Sequence, residues 1–174
     1  MKEVFSKPNQ ISLMRIVFIP VFIWFLLTDA YSNNYIAALI FLILSLSDVF
    51  DGYLARKKKQ TSKIGEILDP IADKLLISAA LIFLVGKLPL WMATVIIARE
   101  WIITMLRFII LPEHIVPADA LGKSKTVIQT IAILSVILDF QFSWHLMLIA
   151  VIVTLFSGFI YLIKISNMLN EKIL

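Results

Sequence analysis

The chain has 174 residues, of which 60% are hydrophobic and only 16% are charged, so its expected solvent is lipid rather than water. It has no cysteine, which excludes disulfides, thiolate metal sites and cysteine nucleophiles, and leaves oxygen atoms or histidine as metal ligands. The net charge of +4 fits basic residues that face anionic lipid and the cytoplasm, and nucleic acid is not an expected partner.

Six apolar stretches follow one another along the chain. A segment in lipid has to satisfy its own backbone hydrogen bonds, so each stretch is predicted to be an α-helix. The sequence therefore predicts an all-α, polytopic membrane protein with six transmembrane helices and a single domain over residues 1–174. The stretches run from Leu13 to Leu27, Tyr35 to Val49, Ile71 to Val85, Leu90 to Leu111, Val127 to Leu138 and Leu146 to Ile163.

Lysine and arginine are unevenly distributed among the segments that join these stretches. One set of alternating segments is basic, and the other set contains only Lys87. Because cytoplasmic loops carry the excess of basic residues, both termini are predicted in the cytoplasm. The segment from Met1 to Asn9 is predicted to be a short interfacial helix. The loops predicted on the outer side are Asp29 to Asn34, Gly86 to Pro89 and Asp139 to Ser143.

Four aspartates lie at the predicted cytoplasmic ends of the second and third stretches. Asp48 and Asp51 are three residues apart, and Asp69 and Asp73 are four residues apart. Each spacing places a pair on one helix face. The segment from Gly52 to Leu68 is interpreted as the turn that brings the two helices together. Four converging carboxylates require a cation, and Mg²⁺ or Mn²⁺ is expected, with two ions as in other phosphoryl-transfer sites.

Two other interpretations of these aspartates are open. They could pair with Arg56 and the neighbouring lysines in an ordinary cytoplasmic loop, although four aspartates at helical spacing argue jointly against this. Intramembrane aspartates also mark ion pathways, so a divalent-cation transporter is an alternative of a different class. No acidic series continues across the predicted bilayer, which favours an active site at one mouth of the bundle.

The aspartate segment resembles the signature of the CDP-alcohol phosphotransferase family. It reads DVFDGYLAR from Asp48 to Arg56, then eight residues, then GEILDPIAD from Gly65 to Asp73, and every fixed position of the pattern is present. The resemblance implies a six-helix bundle, a homodimer, and transfer of a phosphatidyl or related group from a CDP-linked lipid to an alcohol, with release of CMP.

The resemblance also implies roles for individual residues. Metal ligation is implied for Asp48, Asp51, Asp69 and Asp73. Asp73 is in addition the implied catalytic base, which takes the proton of the acceptor hydroxyl. Contacts to the CDP donor are implied for Asn9, Asp48, Gly52, Ala55, Arg56, Ser62 and Gly65.

Further segments resemble the bacterial members of this family that use sn-glycerol 3-phosphate as acceptor. They are the opening PNQISLMR from Pro8 to Arg15, the run GKSKT from Gly122 to Thr126, and Arg99, Glu100 and Arg107. The implied reaction joins CDP-diacylglycerol and sn-glycerol 3-phosphate to give phosphatidylglycerophosphate and CMP. The implied location is the bacterial cytoplasmic membrane, with the active site facing the cytoplasm among membrane lipids.

The acceptor's phosphate is expected to bind a cationic pocket formed by Arg107, Lys123, Lys125 and Thr126. An alternative is that the lysines only set the membrane topology and that Arg107 extends to the interface. Family members that use serine, inositol phosphate or phosphatidylglycerol also remain alternatives. A neutral acceptor would not need the cationic pocket.

Arg99 lies near the middle of the fourth apolar stretch. An unpaired charge at that depth is costly, so Arg99 is expected to face the bundle interior and to pair with a carboxylate. Glu100 is the next residue and points about 100° away on a helix, so the spacing alone does not make it the partner.

Overall fold

The structure is a computed structural model that describes residues 7–28, 31–58, 63–110 and 120–173, and the side chains of residues 12–28, 33–47, 68–109 and 124–167. Within these ranges the chain is helical and forms no β-strand, which confirms the predicted all-α fold. The helices are α1 (Lys7–Leu27), α2 (Tyr31–Lys58), α3 (Lys63–Phe83), α4 (Leu90–Ile110), α5 (Ala120–Ile137) and α6 (Ser143–Ile173).

Two helices extend well beyond their apolar stretches. α2 continues to Lys58 and α3 begins at Lys63, so the interpretation of Gly52 to Leu68 as a turn is wrong for most of that segment. Its alanine, leucine, arginine and lysine residues favour helix, and a helix that leaves lipid keeps its backbone hydrogen bonds. The aspartates therefore lie inside long helices. Most of the predicted interfacial segment lies outside the described residues, and Lys7 to Asn9 begin α1.

The six helices form a closed ring in the order α1, α3, α4, α6, α5, α2, and α2 also contacts α3. The half of the bundle near the α3–α4 turn has an apolar core, which includes Phe22, Leu81, Met92 and Met147. A tightly filled apolar core excludes water and ions. The buried charged side chains lie in the other half, at the junction of α1, α2 and α3 and around Glu100 of α4.

The outer surface of the bundle is also apolar. Trp24 is 72% exposed and Ile109 is 73% exposed, among many other large hydrophobic side chains. A soluble monomer rarely exposes contiguous apolar surface on this scale. Within the described part of the chain, the segment Ser143–Asn167 of α6 is the one that is long and apolar enough to cross a membrane. Aspartate, lysine, arginine and glutamate interrupt α3 and α4.

Asp139 links three segments of the chain at one end of the bundle: its own, the α3–α4 turn and the start of α2. Its Oδ2 accepts a hydrogen bond from Lys87 Nζ at 2.9 Å and another from Asn34 Nδ2 at 3.1 Å. Asp139 has a φ of 53°, a left-handed conformation that aspartate tolerates better than most residues and that ends α5. The three segments predicted to lie on one side therefore do share one end of the bundle.

Candidate active site

Asp69 and Asp73 lie one turn apart on the same face of α3. Asp69 Oδ1 accepts a hydrogen bond from Ser12 Oγ of α1. Asp73 Oδ2 accepts a hydrogen bond from Lys74 Nζ at 2.6 Å. Both aspartates are partly buried, so their carboxylates are held in place and remain accessible to a ligand.

The second aspartate pair, Asp48 and Asp51, lies one turn apart on α2, which packs against both α1 and α3. The side chains of this pair fall outside the described residues. Beside them, Arg15 Nη2 of α1 donates a hydrogen bond to Ser47 Oγ at 3.3 Å. Arg15 is only 1% exposed. α1 therefore contacts α2 and α3 directly beside the two aspartate pairs.

The donor set fits a hard divalent cation, because every acidic ligand candidate here is an aspartate and thiolates are absent from the sequence. Among the described side chains, no three acidic or histidine residues converge on one point. The cation site predicted from the sequence needs Asp48 and Asp51 in addition to the α3 pair. The packing of α2 against α3 allows the two pairs to approach each other.

A buried ion network lies beside the α3 aspartates, centred on Glu100 of α4, which is 2% exposed. Glu100 Oε1 accepts hydrogen bonds from Lys125 Nζ, from Arg99 Nη1 at 3.1 Å and from Gln129 Nε2 at 3.2 Å. Glu100 Oε2 lies 3.2 Å from Lys74 Nζ. Buried charges are tolerated when they are paired and hydrogen-bonded. Here one carboxylate faces three cations, so the network retains positive charge.

The prediction that Arg99 faces the interior and pairs with a carboxylate is confirmed, and its partner is the adjacent Glu100. The long side chain of Arg99 bends far enough to reach Glu100, although consecutive Cβ atoms diverge on a helix. The other end of the guanidinium, Nη2, donates to Ser157 Oγ of α6 at 2.8 Å. Arg99 therefore links α4 to α6.

The residues implied in donor binding cluster by backbone position where α1, α2 and α3 meet. One lies in the first turn of α1, four lie in the last three turns of α2 and one in the first turn of α3. The side chains of this group, and Ser62 entirely, fall outside the described residues. In chain order the helical ones are Asn9, Asp48, Gly52, Ala55, Arg56 and Gly65.

The residues implied in acceptor binding lie on α4 and α5. Lys123, Lys125 and Thr126 fall within the first two turns of α5, although the side chain of Lys123 is outside the described residues. Lys125 is 5% exposed and is hydrogen-bonded to Glu100. Arg107 lies two turns beyond Arg99 on α4 and its guanidinium is 5.6 Å from the centre of the Tyr161 ring, a cation–π geometry.

The sequence reasoning gave no role to Lys74 or Gln129. Lys74 lies inside a predicted apolar stretch, where an ionisable residue is a functional candidate by default. The sequence therefore did contain a signal that could have identified Lys74. Gln129 is four residues after Lys125 and therefore shares its helix face. It donates to both Glu100 and Thr154 Oγ1, the latter at 2.7 Å. Lys74 and Gln129 are connected through Glu100 because α3 and α5 both contact α4 through these side chains, and residue spacing along one helix does not predict which helices are neighbours.

Gly158 of α6 allows Arg99 to cross closely over the helix. A Cβ atom at Gly158 would lie 2.9 Å from Arg99 Nε and 3.3 Å from Arg99 Cγ. Gly158→Ala should therefore lower the free energy of unfolding by about 1–3 kcal/mol, because Arg99 is held at both ends and cannot move away cheaply. Thermal unfolding in detergent measures the loss. Gly86→Ala is the matched control, since a Cβ there would meet no atom within 4 Å. Equal unfolding temperatures for the two variants would contradict the assigned packing.

Comparison with known proteins identifies the family. Residues 5–156 match the family described as CDP-alcohol phosphatidyltransferase. This chain belongs to that family. The match includes both aspartate pairs and the Glu100 network, so the site described above lies inside the family's domain. CDP-alcohol phosphatidyltransferases are enzymes that generally depend on a divalent cation, in agreement with the carboxylate donor set.

Individual relatives extend over nearly the whole chain. The chain is 38% identical over 183 residues to a Bacillus subtilis (strain 168) protein named CDP-diacylglycerol--glycerol-3-phosphate 3-phosphatidyltransferase, with 92% of this chain and 95% of the relative covered. It is 34% identical over 181 residues to a Blochmanniella floridana protein of the same name, with coverages of 97% and 95%. A probable phosphatidylglycerophosphate synthase of Mycobacterium tuberculosis (strain ATCC 25618 / H37Rv) is 35% identical over 169 residues, with 90% and 79% covered.

Proposed function

We propose that the chain transfers a phosphatidyl group from CDP-diacylglycerol to sn-glycerol 3-phosphate, giving phosphatidylglycerophosphate and CMP. The observation that carries this proposal is the placement of Asp69 and Asp73 directly beside a buried network rich in cations. The aspartate pair suits phosphoryl transfer, and the cation-rich network suits an acceptor that itself carries phosphate. The names of the relatives point to the same reaction.

The four signature aspartates would hold two Mg²⁺ or Mn²⁺ ions, which when bound would neutralise charge on the donor's pyrophosphate. Asp73 is proposed to take the proton from the acceptor hydroxyl as that oxygen attacks the lipid-side phosphorus. The bond from this phosphorus to CMP breaks, and CMP leaves. Donor contacts are proposed for the residues at the α1, α2 and α3 junction, with Arg56 as a forked phosphate ligand.

The acceptor's phosphate is proposed to bind Lys125 together with Lys123, Thr126 and Arg107. Glu100 holds the Lys125 ammonium in one place, so less side-chain entropy is lost when a substrate binds. Lys74 is also paired with Asp73, which leaves Arg99 and Lys125 against the single charge of Glu100. This surplus of positive charge favours a phosphorylated acceptor over a neutral one.

We also propose that residues 1–174 form one membrane domain with six crossings. Both termini and the active site would face the cytoplasm of a bacterial cell, and two copies would form a homodimer. The membrane placement is supported by the apolar outer surface, by the long apolar α6, and by the contacts of Asp139 that bring three predicted outer segments to one end of the bundle. The apolar core beyond the network argues against a cation pathway through the bundle, because an ion would have to cross tightly packed side chains.

The proposal is tested by measuring product formation with purified protein in detergent or vesicles containing CDP-diacylglycerol. CMP and phosphatidylglycerophosphate are expected with sn-glycerol 3-phosphate and Mg²⁺ or Mn²⁺. Serine, inositol phosphate and phosphatidylglycerol serve as competing acceptors. Release of CMP with one of these instead would reassign the acceptor within the family, and no release with any of them would overturn the enzyme proposal for this chain.

Lys125→Ala should raise the KM for sn-glycerol 3-phosphate about tenfold or more, because a charged hydrogen bond contributes roughly 1.5–3 kcal/mol. The KM for CDP-diacylglycerol should change much less. Steady-state kinetics with each substrate varied in turn measures the two values. Lys87→Ala is the control, since Lys87 pairs with Asp139 at the opposite end of the bundle. Equal weakening of both substrates would remove support for an acceptor subsite at Lys125.

A further inference from the structure

We propose that Lys74, anchored by Glu100, is a positioning residue that fixes the orientation of the Asp73 carboxylate. The inference rests on the proposed function, because it concerns how that reaction is carried out. Lys74 lies outside the signature that the family resemblance covers, and it is not among the residues to which that resemblance gives a role.

The geometry is a bridge between two helices. Lys74 Nζ of α3 lies 2.6 Å from Asp73 Oδ2 and 3.2 Å from Glu100 Oε2 of α4. Asp73 and Lys74 are consecutive on a helix, so their side chains leave the backbone about 100° apart. Two negative partners, one on each side, therefore fix the position of the Lys74 ammonium. Since the ammonium holds Oδ2, the rotation of the Asp73 carboxylate is fixed as well.

Glu100 connects this bridge to the rest of the network through its two oxygens. Oε1 accepts hydrogen bonds from Lys125, Arg99 and Gln129, whereas Oε2 faces Lys74. Three donors at one oxygen and one at the other fix the plane of the Glu100 carboxylate. The position of Lys74 is therefore coupled to the helices that carry the other donors, α4 and α5.

This division of contacts makes Glu100→Gln an informative variant. The amide of glutamine should keep its oxygen toward Lys125, Arg99 and Gln129 and present its NH₂ group to Lys74. The reverse orientation would place the NH₂ group, which only donates, against those three donors. The variant therefore removes the Glu100–Lys74 contact and keeps the others. Lys74→Met removes the same contact from the other side, with a side chain of similar length.

Each variant should lower kcat by roughly 10- to 100-fold, since a displacement of about 1 Å at a reacting group has effects of that size. The KM values for both substrates should stay within about twofold, because no substrate-binding group is removed. The double variant should lose no more than the single variants, as expected for residues that act through one contact. Lys74→Arg should recover part of the kcat, since it restores a cation that can bridge the two carboxylates.

Several outcomes separate this inference from its alternatives. Lys87→Met is the matched control, because it removes a lysine at the opposite end of the bundle. The unfolding temperatures of all variants show whether the bundle stays folded. If Lys74→Met retains wild-type kcat, or if the losses of the two single variants multiply in the double variant, the positioning role is wrong. If Lys74→Met does not fold, the kcat of Glu100→Gln decides alone, because that variant keeps the contacts to Oε1. Absence of CMP release by the wild-type protein would instead contradict the proposed function itself.

Discussion

Asp73→Asn is expected to lower turnover by about 10²- to 10⁴-fold, the range over which a positioned general base contributes to catalysis. An asparagine amide cannot take the proton of the acceptor hydroxyl and is a weaker ligand for a divalent cation than a carboxylate. Its oxygen can still accept the hydrogen bond that Lys74 donates to Asp73. The variant should therefore remain folded in detergent, and CMP release under saturating substrates measures the loss.

Asp139→Asn provides a matched control for this experiment. It is the same substitution at an aspartate that accepts hydrogen bonds from Lys87 and Asn34 at the opposite end of the bundle. Turnover by this variant should stay near the wild-type value, while any cost to stability appears in the unfolding temperature. Full turnover by Asp73→Asn would refute the assignment of Asp73 as the base. Equal losses in the two variants would point to a general effect of weakening the bundle.

The helices could be predicted from the sequence because lipid leaves an apolar segment little alternative to helix. The helix ends could not, because the apolar pattern ends where charged residues begin, whereas the helix continues through those residues. Residues beyond Gly52 continue α2 to Lys58, since alanine, arginine and lysine support helix in water as well. The same extension places Asp69 two turns inside α3 instead of at its start.

The aspartate pairs could be predicted because their spacing is a local property of one helix. The network around Glu100 could not, because it joins residues from three helices, α3, α4 and α5. Spacing identifies which side chains share a face but does not identify the helix that this face contacts. The closed ring of helices brings α4 beside α3 and makes Glu100 the common partner of Lys74 and Lys125.

Lys125 shows how the structure refines a residue that the sequence identified. From the sequence, its charge was available for the acceptor's phosphate. In the structure, the ammonium is buried and hydrogen-bonded to Glu100. Because an ammonium has three donors, this contact leaves capacity for a phosphate oxygen. A preformed contact of this kind would hold the ammonium in position for the proposed acceptor.

Removing divalent cations should abolish CMP release, and adding Mg²⁺ or Mn²⁺ should restore it. The four signature aspartates lie on two adjacent helices. If their carboxylates converge as proposed, the like charges require a cation between them. The experiment treats the protein with a chelator, removes the chelator, and titrates each metal while CMP is measured. Retention of full activity after the treatment would contradict a cation at this site.

A substitution at Asp69 tests whether this carboxylate binds the divalent cation or only lies near it. Asp69→Asn keeps an oxygen that can accept the hydrogen bond from Ser12, so the contact between α1 and α3 is preserved while the charge is lost. The metal concentration that gives half-maximal activity should rise at least about tenfold, because a neutral ligand binds a hard dication more weakly. If the metal requirement is unchanged while turnover falls, Asp69 acts on the donor and not on the cation. A rise in the metal requirement of Asp69→Asn, together with an unchanged requirement in Asp139→Asn, would place the cation at the junction of α1, α2 and α3.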